Sequence, residues 1–186
     1  MVCLACAALS PDRLCRRCRS ELEEVPVRRL PSGLLVWSAF HHSGAARILV
    51  ARLKYHALPA AAGPLAEGMA ALLPADAIAL APIPRSFGRR WRYGIDAAAL
   101  LATKVGSLTG LPVTFDLASA WWTPQSAGRR RKERTPPIFR LKEAIHPATV
   151  LVDDVVTTGG TLEAAARACG VTRAVTATAG GWRTTL

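Results

Sequence analysis

An α/β fold, with a mainly parallel sheet flanked by helices, is what this 186-residue chain predicts, with a small four-cysteine unit ahead of it. Three observations carry that expectation. From Leu34 onward, strand-like and helix-like segments alternate, which is the pattern of βαβ units. Two of the strand-like runs, "AIALAPI" (77–83) and "VLV" (150–152), are continuously apolar, as strands covered on both faces are. Four of the five cysteines fall in two C-x2-C pairs within the first eighteen residues, apart from the periodic remainder.

The elements follow in order. Cys3-x2-Cys6, eight residues, then Cys15-x2-Cys18 is a symmetric pair of knuckles. Four thiolates at that spacing close a tetrahedron around zinc with little other core to help, and disulfides are the weaker alternative in a reducing compartment. Arg13, Arg16, Arg17 and Arg19 would favour the thiolates and offset their charge. Pro26 and Pro31-Ser32-Gly33 read as a linker or turn, so the chain divides into 1–28 and 34–186.

"LLVWSAF" (34–40) is strand-like, and "GAARILVARLKY" (44–55) is an amphipathic helix with Ile48, Leu49 and Leu53 on one side. "GPLAEGMAALL" (63–73) is a second helix, with proline near its first turn. The apolar strand 77–83 leads into a basic loop, "PRSFGRRWRYG", and then a helix over about 95–107. "PVTFDLA" (112–118) reads as a strand. Residues 120–142, charged and broken by prolines, have no sustained period and read as a functional or disordered loop. "TVLVDD" (149–154) is the next strand, "TLEAAARAC" (161–169) a helix stopped by Gly170, and "RAVTATA" (173–179) the last strand. Cys169 reads as a small buried apolar residue.

Bulk properties limit the function classes. Lys and Arg number 24 against 13 Asp and Glu, a net charge of +11. That balance favours an anionic partner such as nucleic acid or a phosphorylated metabolite, and it is equally the mark of a composition rich in Arg and Ala. No apolar run reaches the ~18–20 residues of a membrane span, and the early cysteines and arginines break any signal-peptide pattern. The expected location is therefore the cytoplasm.

The chemistry concentrates in "VLVDDVVTTGGT" (150–161). In parallel sheets ligands bind at the carboxyl ends of strands, where Asp153 and Asp154 fall. Thr157, Thr158, Gly159, Gly160 and Thr161 then form the turn into a helix. Unpaired N–H groups at that helix start suit a phosphate, and the glycines let the backbone curl around it. Paired carboxylates are wrong for another phosphate but accept hydrogen bonds from a vicinal diol such as a ribose. The stretch thus describes a cradle for ribose 5-phosphate. Neither a P-loop nor a G-x-G-x-x-G after a strand is present.

An apolar strand, D-D, two apolar residues and T-T-G-G-T resembles the phosphoribosyl pyrophosphate (PRPP) signature of type I phosphoribosyltransferases. With the cysteine knuckles, "ARLKYHA", "APIPRSFGRRWRYGIDAAALLA" and "PQSAGRRRKERTPPIF" in that order, nearly the whole chain resembles the ComF (competence protein F) family. The resemblance implies a phosphoribosyltransferase core behind a zinc finger, PRPP with Mg2+ as ligand, and a part in competence and DNA uptake, with single-stranded DNA and other competence proteins as partners. It implies that Asp153, Asp154 and Thr157 to Thr161 bind PRPP, and that a loop at Pro84, Arg85 and Ser86 holds pyrophosphate. An arm over the active site would lie within 120–140, where Arg129, Arg130, Arg131, Lys132 and Arg134 either clamp pyrophosphate, track a DNA backbone beside Trp121 and Trp122, or form a solvated loop. The chain departs from the family at Asp96-Ala97, where a polar pair is usual. No general base stands out. Three functions follow as expectations: transfer of ribose 5-phosphate from PRPP to an unidentified acceptor, non-catalytic binding of single-stranded DNA, or PRPP sensing without turnover.

Overall fold

The computed structural model describes residues 1–84, 95–119 and 137–181. Its centre is a five-stranded sheet built from β1 (Arg28–Arg29), β2 (Leu35–His41), β3 (Ala79–Pro82), β6 (Thr149–Val156) and β7 (Arg173–Ala179), in the order β1-β2-β7-β6-β3. β2, β7, β6 and β3 are mutually parallel, and only the edge strand β1 runs antiparallel. Two further strands, β4 (Leu117–Ser119) and β5 (Phe139–Leu141), form a separate antiparallel pair.

Helices cover both faces. α2 (Gly44–Tyr55), α3 (Ala62–Ala70) and α4 (Ala97–Thr109) bury Leu49, Leu53, Leu65, Met69, Leu101 and Val105 with Val150, Val152 and Val175 of the sheet. α5 (Gly160–Cys169) covers the other face, where Leu162, Ala165 and Cys169 meet Leu151, Val36 and Ala81. Val150 and Val152 face one layer and Leu151 the other, which is why 150–152 is apolar without alternation. The short helix α1 (Arg16–Ser20) belongs to the cysteine segment, whose Cys3, Ala5, Leu14 and Cys18 join the core beneath α2 and α3.

Most sequence-level elements appear within two residues of their expected ends. The exceptions have physical reasons. The segment read as a linker contains β1, which pairs Arg28 with Val36 and Arg29 with Leu35. The strand expected over 112–118 is split: Val113 bridges Leu80 at the β3 edge, and the chain then leaves the sheet to make β4. β5 lies inside the stretch read as loop, with Phe139 buried and Arg140 exposed. α4 begins at Asp96, whose carboxylate accepts the Ala99 N–H at 3.3 Å, and stops at Gly110 with φ of 78°. Among the described residues no helix is long and apolar enough to cross a membrane.

The topology selects one crevice. From β3 the chain crosses through α4 to the outer edge at Val113, whereas from β6 it crosses through α5 inward to β7. Crossovers that diverge from neighbouring strands leave a gap at their carboxyl ends, the common ligand position in open parallel sheets. Pro82 to Pro84 and Asp153 to Thr158 flank that gap.

Candidate functional site

The first candidate is the cysteine cluster. The sulfurs of Cys3, Cys6, Cys15 and Cys18 all lie within 4.8 Å of one another, and Cys6 Sγ is 3.7 Å from Cys15 Sγ. A metal with bonds of about 2.3 Å to four tetrahedral sulfurs separates them by about 3.8 Å, so the donor set fits an ion such as zinc. The same spacing is too long for a disulfide, and all five cysteines are free thiols. The Cys15 N–H donates to Cys3 Sγ at 3.4 Å, the kind of contact that orients a thiolate ligand.

Burial alone would raise the Cys3 thiol. The N–H groups of Cys15, Cys6 and Ala5 outweigh it and bring the thiol down to about 6. Cys18 moves the other way, pushed up by burial and by the surrounding thiols. Two of the nearby arginines pair with acids instead of sulfur: Arg17 Nε lies 3.3 Å from Glu21 and Arg19 Nη2 3.4 Å from Asp12. Cys169 stands apart, buried at the end of α5, and its thiol is raised to about 11 by that burial.

The segment also braces its neighbour. Ser43 precedes α2 with no side-chain cap, and the Glu21 carboxylate instead accepts the Ala45 N–H at 3.1 Å. A carboxylate at a helix N-terminus satisfies an orphan donor and meets the positive end of the helix dipole.

The second candidate is the acid pair and the turn after it. β6 runs on to Val156, two residues beyond its expected end, so both aspartates lie in the body of the strand and not at its terminus. Strand alternation then sends their carboxylates to opposite faces, which relieves the repulsion that adjacency suggests. Asp153, half-buried, shares its face with Leu151 and accepts the Asp154 N–H at 2.8 Å. Asp154, buried, points with Val152 toward α2 and meets Lys54 Nζ at 2.6 Å. The chain thus treats its two acids differently.

Lys54 occupies the last turn of α2, where a cation also favours the helix dipole. His42, just past β2, shares a hydrogen bond of 2.8 Å between Nδ1 and Thr178 Oγ1. Its proton affinity is lowered first by burial and then by Lys54 and Arg47. Lys54, Asp154, Thr178 and His42 therefore form a polar cluster at the crevice.

Thr157 and Thr158 follow, both exposed, and Gly159 caps α5 with φ of 87°. No side chain caps that helix; its first internal bond is Glu163 N–H to the Gly159 carbonyl, so the N–H groups of its first turn face outward. Glycine is required at 159 twice over, by the left-handed backbone and because a Cβ there would run into Leu30 Cδ1. Gly159→Ala is expected to cost about 1–2 kcal/mol from the backbone, and more from the clash. Leu30→Ala removes the clash but also a buried side chain, so the clash is read as coupling: Gly159→Ala should cost less in a Leu30→Ala background than in the parent. Urea denaturation of Gly159→Ala, Leu30→Ala and the double variant checks this, and an unchanged midpoint for Gly159→Ala would contradict it.

Against this turn lies a cavity of about 570 Å3, lined by Thr157, Thr158, Gly180, Gly181, and the β1 segment from Arg28 to Pro31. The volume suits a small-molecule ligand. The structure thus brings Asp153, Asp154, Thr157, Thr158, Gly159, Gly160 and Thr161 to one end of β6, with Pro84 beyond the end of β3. Arg85, Ser86, Arg129, Arg130, Arg131, Lys132 and Arg134 lie outside the described residues.

Sequence reading assigned no position in this site to Arg28, Arg29, His42 or Lys54; the resemblance included Lys54 only within "ARLKYHA", without a role. The signal for Lys54 was present: it sits four residues after Val50 on the buried stripe of α2, where a cation needs a partner. A two-residue edge strand of exposed arginines offers no such signal. Comparison with known proteins adds nothing to the geometry: no family model matches the chain, and no curated protein matches it significantly.

Proposed function

We propose that the chain binds PRPP at the crevice and transfers its ribose 5-phosphate to an acceptor, releasing pyrophosphate. The observation that carries this reading is the acid pair near the end of β6 running through Thr-Thr-Gly-Gly into the uncapped start of α5. On this reading residues 34–186 form a type I phosphoribosyltransferase-like domain of the ComF kind, and residues 1–28 a zinc finger before it. The first-turn N–H groups and the threonine hydroxyls would take the 5-phosphate. Asp153 would accept the ribose hydroxyls, while Asp154, engaged by Lys54, would hold α2 against the crevice. Mg2+ would arrive on the pyrophosphate of the substrate and neutralise it as it leaves.

In the reaction the bond from the anomeric carbon to the pyrophosphate oxygen breaks, and its electron pair departs with pyrophosphate. A nitrogen of the acceptor supplies the new bond and loses a proton. Cationic stabilisation of the leaving group is the main requirement, so the lack of an evident general base is no obstacle.

Calorimetry with PRPP and Mg2+ is expected to show saturable binding that Asp153→Asn weakens at least about tenfold, the loss of charge-assisted bonds to a diol. Absence of binding to the unmodified protein would overturn the reading. Pyrophosphate release in a screen of nucleobases and amines separates a transferase from a PRPP sensor. The net charge of +11 favours a second reading, single-stranded DNA binding. That reading predicts an affinity falling with salt at about 0.7 log units per log unit for each phosphate neutralised, and a flat response excludes it.

A further inference from the structure

We propose that Arg28 and Arg29 are the cationic wall of the phosphate seat, so that a phosphate monoester above Thr157 and Thr158 is neutralised by the edge strand β1. The proposal rests on the PRPP reading for the identity of the ligand and goes beyond it in the residues and the orientation it assigns.

Charge is the first argument. Residues 149–161 contain two carboxylates and no cation. A phosphate monoester brings a charge of about −1.5 to −2 at neutral pH, so turn and ligand together are strongly negative. Lys54 is engaged with Asp154 at 2.6 Å, and the helix start offers only partial charges. Hydroxyls and amides can shape such a seat but cannot balance it. Arg28 and Arg29 line the same cavity as Thr157 and Thr158, although about 130 residues separate the two segments.

Placement is the second argument. The arginines are not on a loose tail. β1 is hydrogen-bonded to β2, Leu30 is buried directly under Gly159, and the Ser32 N–H donates to Glu163 Oε1 of α5 at 3.0 Å. Arg29 Nη1 donates to the Gly33 carbonyl at 3.2 Å, which anchors one nitrogen of the guanidinium while its other N–H groups remain as donors. Wall and turn are therefore held at a set separation, as preorganised anion recognition requires. The requirement for glycine at 159 belongs to this arrangement: the contact that excludes a Cβ is the one that docks the arginine strand.

Orientation is the third. β1 and β3 lie at opposite edges of the sheet. A cationic wall at the β1 edge meets the phosphate end of a ligand and leaves the β3 edge, beyond Pro84, for the pyrophosphate. The wall thus sets which end of an asymmetric diphosphorylated sugar goes where.

The test compares Arg28→Gln/Arg29→Gln with the unmodified protein, using ribose 5-phosphate, ribose, pyrophosphate and PRPP as probes. Both arginines are exposed and their contacts are surface ones, so the melting temperature should move by only a few degrees and the variant should stay folded. Ribose 5-phosphate affinity is expected to fall by about tenfold or more for each arginine lost, with pyrophosphate binding retained. Arg28→Lys/Arg29→Lys should recover part of the loss, since it restores charge without the planar fork. Unchanged affinity for ribose 5-phosphate in the glutamine variant overturns the wall while leaving PRPP binding intact. An equal loss for pyrophosphate overturns the assigned orientation. Arginine-dependent binding of ribose 5-phosphate by a protein that never binds PRPP supports the wall and sinks the PRPP reading instead.

Discussion

Cys18→Ser is expected to abolish stoichiometric zinc binding and to lower the stability of the whole chain by about 4 kcal/mol or more, the range seen when a structural metal site is lost. The expectation comes from where the cluster sits. Cys3 and Cys18 are buried, and Leu14 and Ala5 beside them pack into the core that α2 and α3 share with the sheet. Without metal, the inward Cys18 thiol keeps a proton that burial and the neighbouring thiols hold in place, while Cys3 is drawn toward the thiolate by three backbone N–H groups. A cation bound to the four sulfurs would resolve that mismatch and release the protons. Zinc affinity should therefore fall with falling pH, because protons compete for the same sulfurs.

The loss would not stay local. Glu21, which follows the last ligand by three residues, caps α2 through Ala45. If the knuckles unravel, α2 loses its N-terminal acceptor and the apolar cover over Leu49 and Val50. Metal analysis and urea denaturation, with a chelator on the unmodified protein as a parallel arm, check the expectation. One zinc per chain and an unaltered midpoint in Cys18→Ser would refute it.

How far the sequence could be read depended on whether burial imposed a pattern. β6 was legible because a strand covered by α5 on one face and by α4 on the other has no reason to alternate. The cysteine knuckles were legible because the C-x2-C spacing that brings four sulfurs together is local and owes little to tertiary context. β1 was not, because two exposed arginines on an edge strand obey no hydrophobic period and their neighbours Pro26 and Pro31 imitate a linker. β5 was hidden by its length of three residues within a charged stretch, although Phe139 and Leu141 do alternate around Arg140. In the candidate site the turn was legible and its surroundings were not. Thr-Thr-Gly-Gly is local chemistry, whereas Leu30 and Arg28, which border the turn, and Lys54 and His42, which meet Asp154 and Thr178 beside it, come from segments a hundred or more residues earlier.

The two aspartates should prove unequal. Asp154→Asn and Lys54→Met are each expected to destabilise the fold by about 3–5 kcal/mol, because either change leaves an uncompensated charge or a desolvated partner in a buried site. Side-chain exposure is 8 % for Asp154 and 18 % for Lys54, so water can do little to rescue the survivor. The double variant Asp154→Asn/Lys54→Met should lose less than the sum of the single ones, since the penalty of each is the stranded partner and both partners are then gone. Asp153→Asn, by contrast, changes a half-buried carboxylate on the opposite face and keeps an amide oxygen that can accept the Asp154 N–H, so it should cost less than Asp154→Asn, about 1–2 kcal/mol. Denaturation of the four variants measures the stabilities, and PRPP titration of those that remain folded measures the ligand. The pattern expected is a crossing: Asp153→Asn folds nearly as the parent does and binds poorly, whereas Asp154→Asn is compromised first in stability. Additive losses in the double variant would mean that the 2.6 Å contact is not the source of the cost. Equal stabilities for the two asparagine variants would remove the division of labour between the acids, and with it the reason for placing Lys54 beside one and not the other.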